Sequence, residues 1–242
     1  MKNSIYTTTA GMLTSAERLN VAANNLANVS TNGYKEDIPF EQTIRFYTEG
    51  PFPGKDQPVL AGTVANMEQG VVKHTGQELD LAFQGTGYFS VQGPNNETYY
   101  TRDGAFTLNS NKELVTQGGL NVLDKFDRKI TVVGDKLNFT PSGDVYVDDN
   151  YYTTLKIIDS PNRDDIEKVG VNFIKIKDSA QQPTQMENPS LTVGALEKSN
   201  VNTMNGMAEM IQTQRTFDLQ KTAADIMLKI VRKSITELAK PI

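Results

Sequence analysis

Apolar residues return every seven positions at both ends of the chain. Ile5, Met12, Leu19 and Leu26 form one row, with Ala16, Ala22, Ala23, Ala27 and Val29 beside it. Met210, Phe217, Ala224, Val231 and Leu238 form another, flanked by Met207, Leu228 and Ile235 and widened by Ile211, Ile226 and Ile230. A period of about 3.5 residues held over several heptads predicts amphipathic helices. The first should run from about Asn3 to Asn28 and stop at Ser30-Thr31-Asn32-Gly33, since Gly or Asn in a left-handed conformation ends helices. The second should run from Asn202 to Ile242, N-capped by Asn202 or Thr203. At about 1.5 Å per residue it would be roughly 50 Å long, more than a compact domain of this size can cover. The two rows are therefore expected to bury each other or their counterparts on further copies. The simpler alternative is that each helix packs on the middle of the chain.

Between the helices the period changes. Residues 34–70 carry Pro39, Pro51, Pro53, Gly54, Pro58, Gly62 and Gly70 without sustained rhythm, which predicts an extended arm. From Val71 short apolar runs alternate with turn residues: Glu78–Phe83, Tyr88–Val91, Tyr99–Thr101, Ala105–Leu108, Glu113–Thr116 and Leu120–Leu123. Lys129–Val133, Lys136–Phe139, Asp144–Val147, Thr153–Ile158 and Val171–Ile176 follow, as expected of an all-β domain. Gln181–Pro189 is polar again, and Leu191–Leu196 is a last extended stretch. The expected fold class is α+β, with long N- and C-terminal helices pairing as a coiled coil, a central all-β domain and extended connecting arms. The boundaries are 1–33 for the first helix, 34–70 for the arm, 71–180 for the β domain, 181–201 for a return arm and 202–242 for the second helix.

Composition narrows the function. A formal net charge of −5 over 242 residues argues against a nucleic-acid binder. Without cysteine there is neither a disulfide framework nor a thiolate metal site. The first residues lack the apolar core of a secretory signal, and no run approaches the length of a membrane span. The single histidine, His74, has no partner set for nucleophilic catalysis. Gly85-Thr86-Gly87 lacks the third glycine and the following helix of a dinucleotide fingerprint and reads as a turn. Asp148-Asp149 and Asp164-Asp165 do not fit a calcium-loop frame. No catalytic residue, cofactor site or metal ligand is expected.

Polar residues lodged near the helical rows carry more information. Asn24, Asn25 and Asn28 surround Leu26, where asparagine disfavours helix but can fix register through amide hydrogen bonds. An ordinary frayed helix end is the competing reading. Asn200 and Asn202 precede the second helix, and Gln214 and Arg215, with Gln212, make a polar belt beside Phe217.

Ala23-Asn24-Asn25-Leu26-Ala27-Asn28-Val29-Ser30-Thr31-Asn32-Gly33-Tyr34-Lys35 resembles the N-terminal signature of the bacterial flagellar rod and hook family of axial proteins. Leu196-Glu197-Lys198-Ser199-Asn200-Val201-Asn202 and Met210-Ile211-Gln212-Thr213-Gln214-Arg215-Thr216-Phe217 are similar to its C-terminal signature. Gly85-Thr86-Gly87-Tyr88-Phe89 and Tyr100-Thr101-Arg102-Asp103-Gly104-Ala105-Phe106 resemble the β-domain motif of its rod members. The resemblance implies a structural subunit of the basal-body rod, without cofactor, exported unfolded by the flagellar type III apparatus and polymerised in the periplasm into the drive shaft. Its implied partners are copies of itself, neighbouring rod proteins, the export apparatus and a rod-assembly scaffold. Thr216-Phe217 stand where the family often has Ala-Tyr. The segment after Lys35 is short for a distal rod subunit, and Ser4-Ile5-Tyr6-Thr7 looks more like a proximal one. The alternative is a β-domain adhesin or ligand-binding module on a homodimeric helical stalk; an enzyme is a third reading.

Overall fold

A computed structural model describes residues 2–46, 55–134, 136–159, 165–177 and 183–238. The chain divides into two units, one of Met1–Ala27, Asp37–Ala65 and Asn202–Ile242, the other of Asn28–Glu36 and Asn66–Val201.

The first unit holds helix α1 (Lys2–Ala27), helix α2 (Thr203–Leu238) and an antiparallel hairpin of β1 (Asp37–Phe46) and β2 (Lys55–Ala65). Asn202 caps α2, its Oδ1 accepting from the backbone N–H groups of Met204 and Asn205 at 3.0 and 3.2 Å. This satisfies donors that the first helical turn leaves orphaned. The contacts between the helices include small and polar ones. Ser15 Oγ donates to Gln220 Oε1 at 3.0 Å and Thr8 Oγ1 lies 3.9 Å from Met227 Sδ. Gly11 lets Gln220 come close; a Cβ there would sit 3.1 Å from Gln220 Nε2.

These contacts overturn the expected coiled coil. Knobs-into-holes packing needs two large apolar rows on each helix. On α2 the least exposed row beside Met210, Phe217, Ala224 and Val231 is Gly206, Thr213, Gln220 and Met227, half of it polar. Met207 and Leu228, expected on that second row, are exposed. On α1 the residues at the contact include Thr8, Gly11 and Ser15, too small to act as knobs. The connecting arms are corrected as well. Residues 37–46 and 55–65 pair in register from Asp37↔Ala65 to Phe46↔Lys55, with a bulge between Phe40 and Glu41. Pro39 and Pro58 hid these strands, yet a two-stranded ribbon has two outer edges where a residue without N–H is tolerated.

The second unit is β throughout. In chain order its strands are β3 (Val72–His74), β4 (Leu81–Phe83), β5 (Tyr88–Gln92), β6 (Thr98–Thr101), β7 (Phe106–Leu108), β8 (Leu114–Thr116) and β9 (Asn121–Val122). There follow β10 (Leu137–Phe139), β11 (Asp144–Val147), β12 (Asn150–Thr154), β13 (Ile157–Ile158), β14 (Ile166–Val169), β15 (Phe173–Ile176), β16 (Leu191–Val193) and β17 (Ala195–Glu197). The largest sheet has the order β14-β15-β6-β5-β9-β8-β7, with β13 beside β5. β10, β11 and β12 form a separate meander. β16 pairs with β4 and β17 with β3, so the expected return arm is strand at its end. Lys129–Val133, expected as a strand, makes only isolated bridges to Leu123 and Glu113.

Successive side chains of β5 serve opposite faces. Phe89 and Val91 join the main core with Leu81, Phe83, Phe106, Leu114, Val122 and Ile157, while Tyr88 joins Tyr100, Ile158, Ile174 and Ile176. Phe89 is the hub: its ring lies 4.3 Å from that of Phe83 and 5.1 Å, edge-on, from that of Phe106. Phe89→Ala should lower stability by about 3–5 kcal/mol, read as a fall in the urea midpoint at unchanged slope.

Candidate functional site

Three stretches far apart in sequence converge inside the second unit. The loop after α1 brings Asn32 to Glu36, the turn after β6 brings Arg102 and Asp103, and β17 with the residues after it brings Glu197 to Asn200. Glu197 lies at the centre and is 1% exposed. Its Oε1 accepts from Lys35 Nζ at 2.7 Å and from the Gly70 backbone N–H at 3.0 Å. Its Oε2 accepts from Arg102 Nη1 at 3.3 Å, and its backbone carbonyl accepts from the Gly33 N–H at 2.9 Å.

Both cations are buried with it. Lys35 also donates to the Glu68 carbonyl at 2.6 Å, and Arg102 Nη1 to the Gly85 carbonyl at 2.8 Å. The Arg102 guanidinium lies over the rings of Phe83 and Tyr88, 5.1 and 4.9 Å from their centroids, so ring faces replace lost water. Burial pushes the Lys35 ammonium below the ordinary lysine range, opposed by Glu197, and raises the Tyr88 phenol, opposed by Arg102. A buried charge is tolerated only when paired and hydrogen-bonded, and Glu197 meets that condition through three donors.

Amides extend the same clasp. Asn200 Oδ1 accepts from the Glu36 N–H at 2.8 Å, and its Nδ2 donates to the carbonyls of Asn66 and Glu68, both at 3.0 Å. Lys198 Nζ donates to Asn32 Oδ1 at 2.8 Å. Lys168 Nζ donates to the Lys35 carbonyl at 2.9 Å and sits 4.7 Å from the Tyr34 ring centroid. Gly33, at φ +66°, packs against the Arg102–Asp103 backbone; a Cβ there would stand 2.5 Å from the Asp103 nitrogen. Beside it Asp103 accepts from the Ala105 N–H at 3.1 Å and from Asn172 Nδ2 at 3.0 Å. Burial raises its carboxyl to about 6, despite those hydrogen bonds.

The polar residues singled out in the sequence do not form one site. Asn25 clips α1 to the hairpin: its Nδ2 donates to the Asp37 carbonyl at 2.8 Å and its Oδ1 accepts from the Asp37 N–H at 2.9 Å. Asn28 accepts from Thr31 Oγ1 at 3.2 Å, Asn200 belongs to the clasp and Asn202 caps α2. Asn24 and Arg215 are exposed, and Gln214 reaches Asp218 one turn along at 3.3 Å. Of the row residues, Met12, Leu19, Leu26, Met210, Phe217, Ala224 and Val231 are half-buried. The side chains of Ile5 and Leu238 lie outside the described residues. Sequence reasoning missed Lys35, Arg102 and Glu197, although each stands inside a quoted motif; nothing in their immediate neighbours sets them apart from solvated charges.

The chemistry of the remaining candidates is plain. His74 is an exposed residue of β3. Gly85 and Gly87, at φ +107° and +129°, shape a turn, and a Cβ on Gly87 would come within 2.9 Å of the Phe83 ring. Asp148 and Asp149, at φ +49° and +63°, turn β11 into β12. Asp164 lies outside the described residues. Among the described residues no three His, Asp or Glu side chains converge as metal ligands.

Residues 5–35 match the family described as flagella basal body rod protein, 82–154 the flagellar hook protein FlgE/F/G D1 domain, and 192–227 the flagellar basal body rod FlgEFG protein C-terminal region. Each matched segment supplies one member of the clasp: Lys35, Arg102 and Glu197. The chain is 31% identical to the flagellar basal-body rod protein FlgF of Caulobacter vibrioides over 99% of both chains. The chain belongs to the flagellar basal-body rod protein family. This rod protein is also 29% identical to FlgG of Buchnera aphidicola over 95% of its own length and 97% of the relative's. With FlgG of Bacillus subtilis it shares 30% identity over 90% and 92% of the two chains. It is thus a structural subunit of the bacterial flagellum, and the adhesin reading finds no support.

Removing the charge of Glu197 leaves two buried cations without a counter-ion. Glu197→Gln should therefore destabilise the rod protein by about 3–5 kcal/mol, measured by urea unfolding. Asp103 behaves oppositely to a salt-bridged carboxylate. Because its folded pKa lies above the unfolded value, its contribution is full below about pH 4 and is lost as pH rises through about 6. The stability of the native chain relative to Asp103→Asn should be highest near pH 4 and fall towards pH 7, followed by urea midpoints across that range.

Proposed function

We propose that this rod protein polymerises through its helical unit into the shaft that transmits torque, at the proximal end of the rod. One observation carries the polymerisation. Helix α2 has two apolar sides, and among the described residues α1 covers only one of them. Met204, Met207, Ile211, Leu219, Ile226 and Ile230 are 81, 49, 56, 72, 52 and 52% exposed. At about 100° per residue most of these lie opposite the row of Met210, Phe217 and Ala224. A stripe of this length on a monomer marks a contact surface. Copies of the protein and neighbouring rod proteins cover it, with the half-buried rows of α1 and α2 completing the contact. Non-closing contacts of this kind build a helical filament rather than a closed ring.

The proximal position is supported by the short segment after Lys35 and the residues Ser4 to Thr7. The chain reaches the periplasm unfolded through the flagellar export apparatus, and a rod-assembly scaffold receives it there. The absence of cysteine supports this route, since no thiol can be trapped as a disulfide on entering an oxidising compartment.

Combined Ile211→Glu, Ile226→Glu and Ile230→Glu substitutions change only exposed positions. They should leave the monomer's circular dichroism intact while removing the protein from isolated basal bodies and stopping swimming in soft agar. Normal incorporation of the triple variant would overturn the reading.

A further inference from the structure

The clasp joins parts of the chain that are far apart in sequence. Lys35 and Arg102 belong to the first half of the chain, whereas Glu197 arrives 162 and 95 positions after them. Among the described residues it is the carboxylate that pairs with either cation. The same segment supplies β16 and β17, the strands on which β4 and β3 depend for their pairing. It also closes the backbone around the clasp. Gly33 N–H donates to the Glu197 carbonyl, Lys198 N–H to the Val71 carbonyl and Gln84 N–H to the Ser190 carbonyl, all within 2.8–2.9 Å. Leu191 seals the main core beside Leu81 and Phe83.

Parts of the unit need no such late arrival, although β13 and β15 also return to β5 and β6. The meander β10-β11-β12 and the pairs β5-β6 and β7-β8 are joined by short turns. Local pairings form with little loop-closure entropy, whereas a contact across more than a hundred residues is slow. Burying Lys35 and Arg102 before Glu197 enters would strand two positive charges.

We propose that residues 190–200 are a closing latch: the β unit stays open around Lys35 and Arg102 until this segment inserts as β16 and β17. A chain emerging amino end first, as from a ribosome, holds a partly built, unlatched β unit until almost all of it is free. This goes beyond the rod reading and does not depend on the position in the rod.

Hydrogen exchange of the purified full-length chain tests it. In pulse labelling during refolding from urea, the amides of residues 137–154 should gain protection first. Those of 72–74, 81–83 and 191–197 should follow later and together. In the native state Glu197→Gln should speed exchange in these three segments by roughly a hundredfold or more, with residues 137–154 changed far less. Protection of 191–197 as early as the meander, or a uniform rise in exchange over the whole β unit, would overturn the latch. Should Glu197→Gln fail to fold, Lys35→Met, which keeps Glu197 paired with Arg102, is judged by the same segments.

Discussion

Two cations and one carboxylate share a place that water does not reach. Such a group is costly, because each ion gives up its hydration, and the mutual attraction offsets that loss only when the remaining hydrogen bonds are good. Here the surplus positive charge is spread over the Glu68 and Gly85 carbonyls and the faces of Phe83 and Tyr88. An apolar replacement could be as stable. What an ionic clasp adds is selectivity for one arrangement, since any other leaves a charge unpaired. The glycines follow from it: Gly33 and Gly70 bring backbone against backbone so that their N–H groups can reach Glu197.

The two units use different physics. The β unit is held by a conventional apolar core around Phe89 and by the clasp at its edge. Among its described residues the helical unit has no comparable core. Its helices meet at points that include serine, threonine, glycine, glutamine and Met227, and many large side chains on α2 are exposed. A chain that leaves one unit so thinly covered suits a subunit whose remaining contacts come from its neighbours.

Much of this was legible in the residues. The heptad rows located both helices, and the end at Ala27 and the start at Thr203 fall within a residue or so of the expected limits. Turn glycines and Asp-Gly or Asn-rich breaks marked most strands of the β unit. The hairpin escaped because Pro39 and Pro58 read as breakers, a rule that holds for central strands and not for a two-stranded ribbon. The coiled coil was over-read because one apolar row on α2 was visible, while its companion row of Thr213 and Gln220 is apparent only once a partner face is known. The clasp was invisible for a related reason. A lone Lys35, Arg102 or Glu197 looks like any solvated charge, and only the fold brings residues so distant in sequence within hydrogen-bonding reach.

The contact between Ser15 and Gln220 has a consequence for how the helices can move. If α2 slid by one heptad, Thr213 or Met227 would stand where Gln220 does now, and the glutamine amide would face α1 seven residues away from its acceptor-hungry hydroxyl. The pair works as an index mark on an otherwise repetitive ruler: the helices can flex about it, but translation by a full repeat has nowhere equivalent to stop.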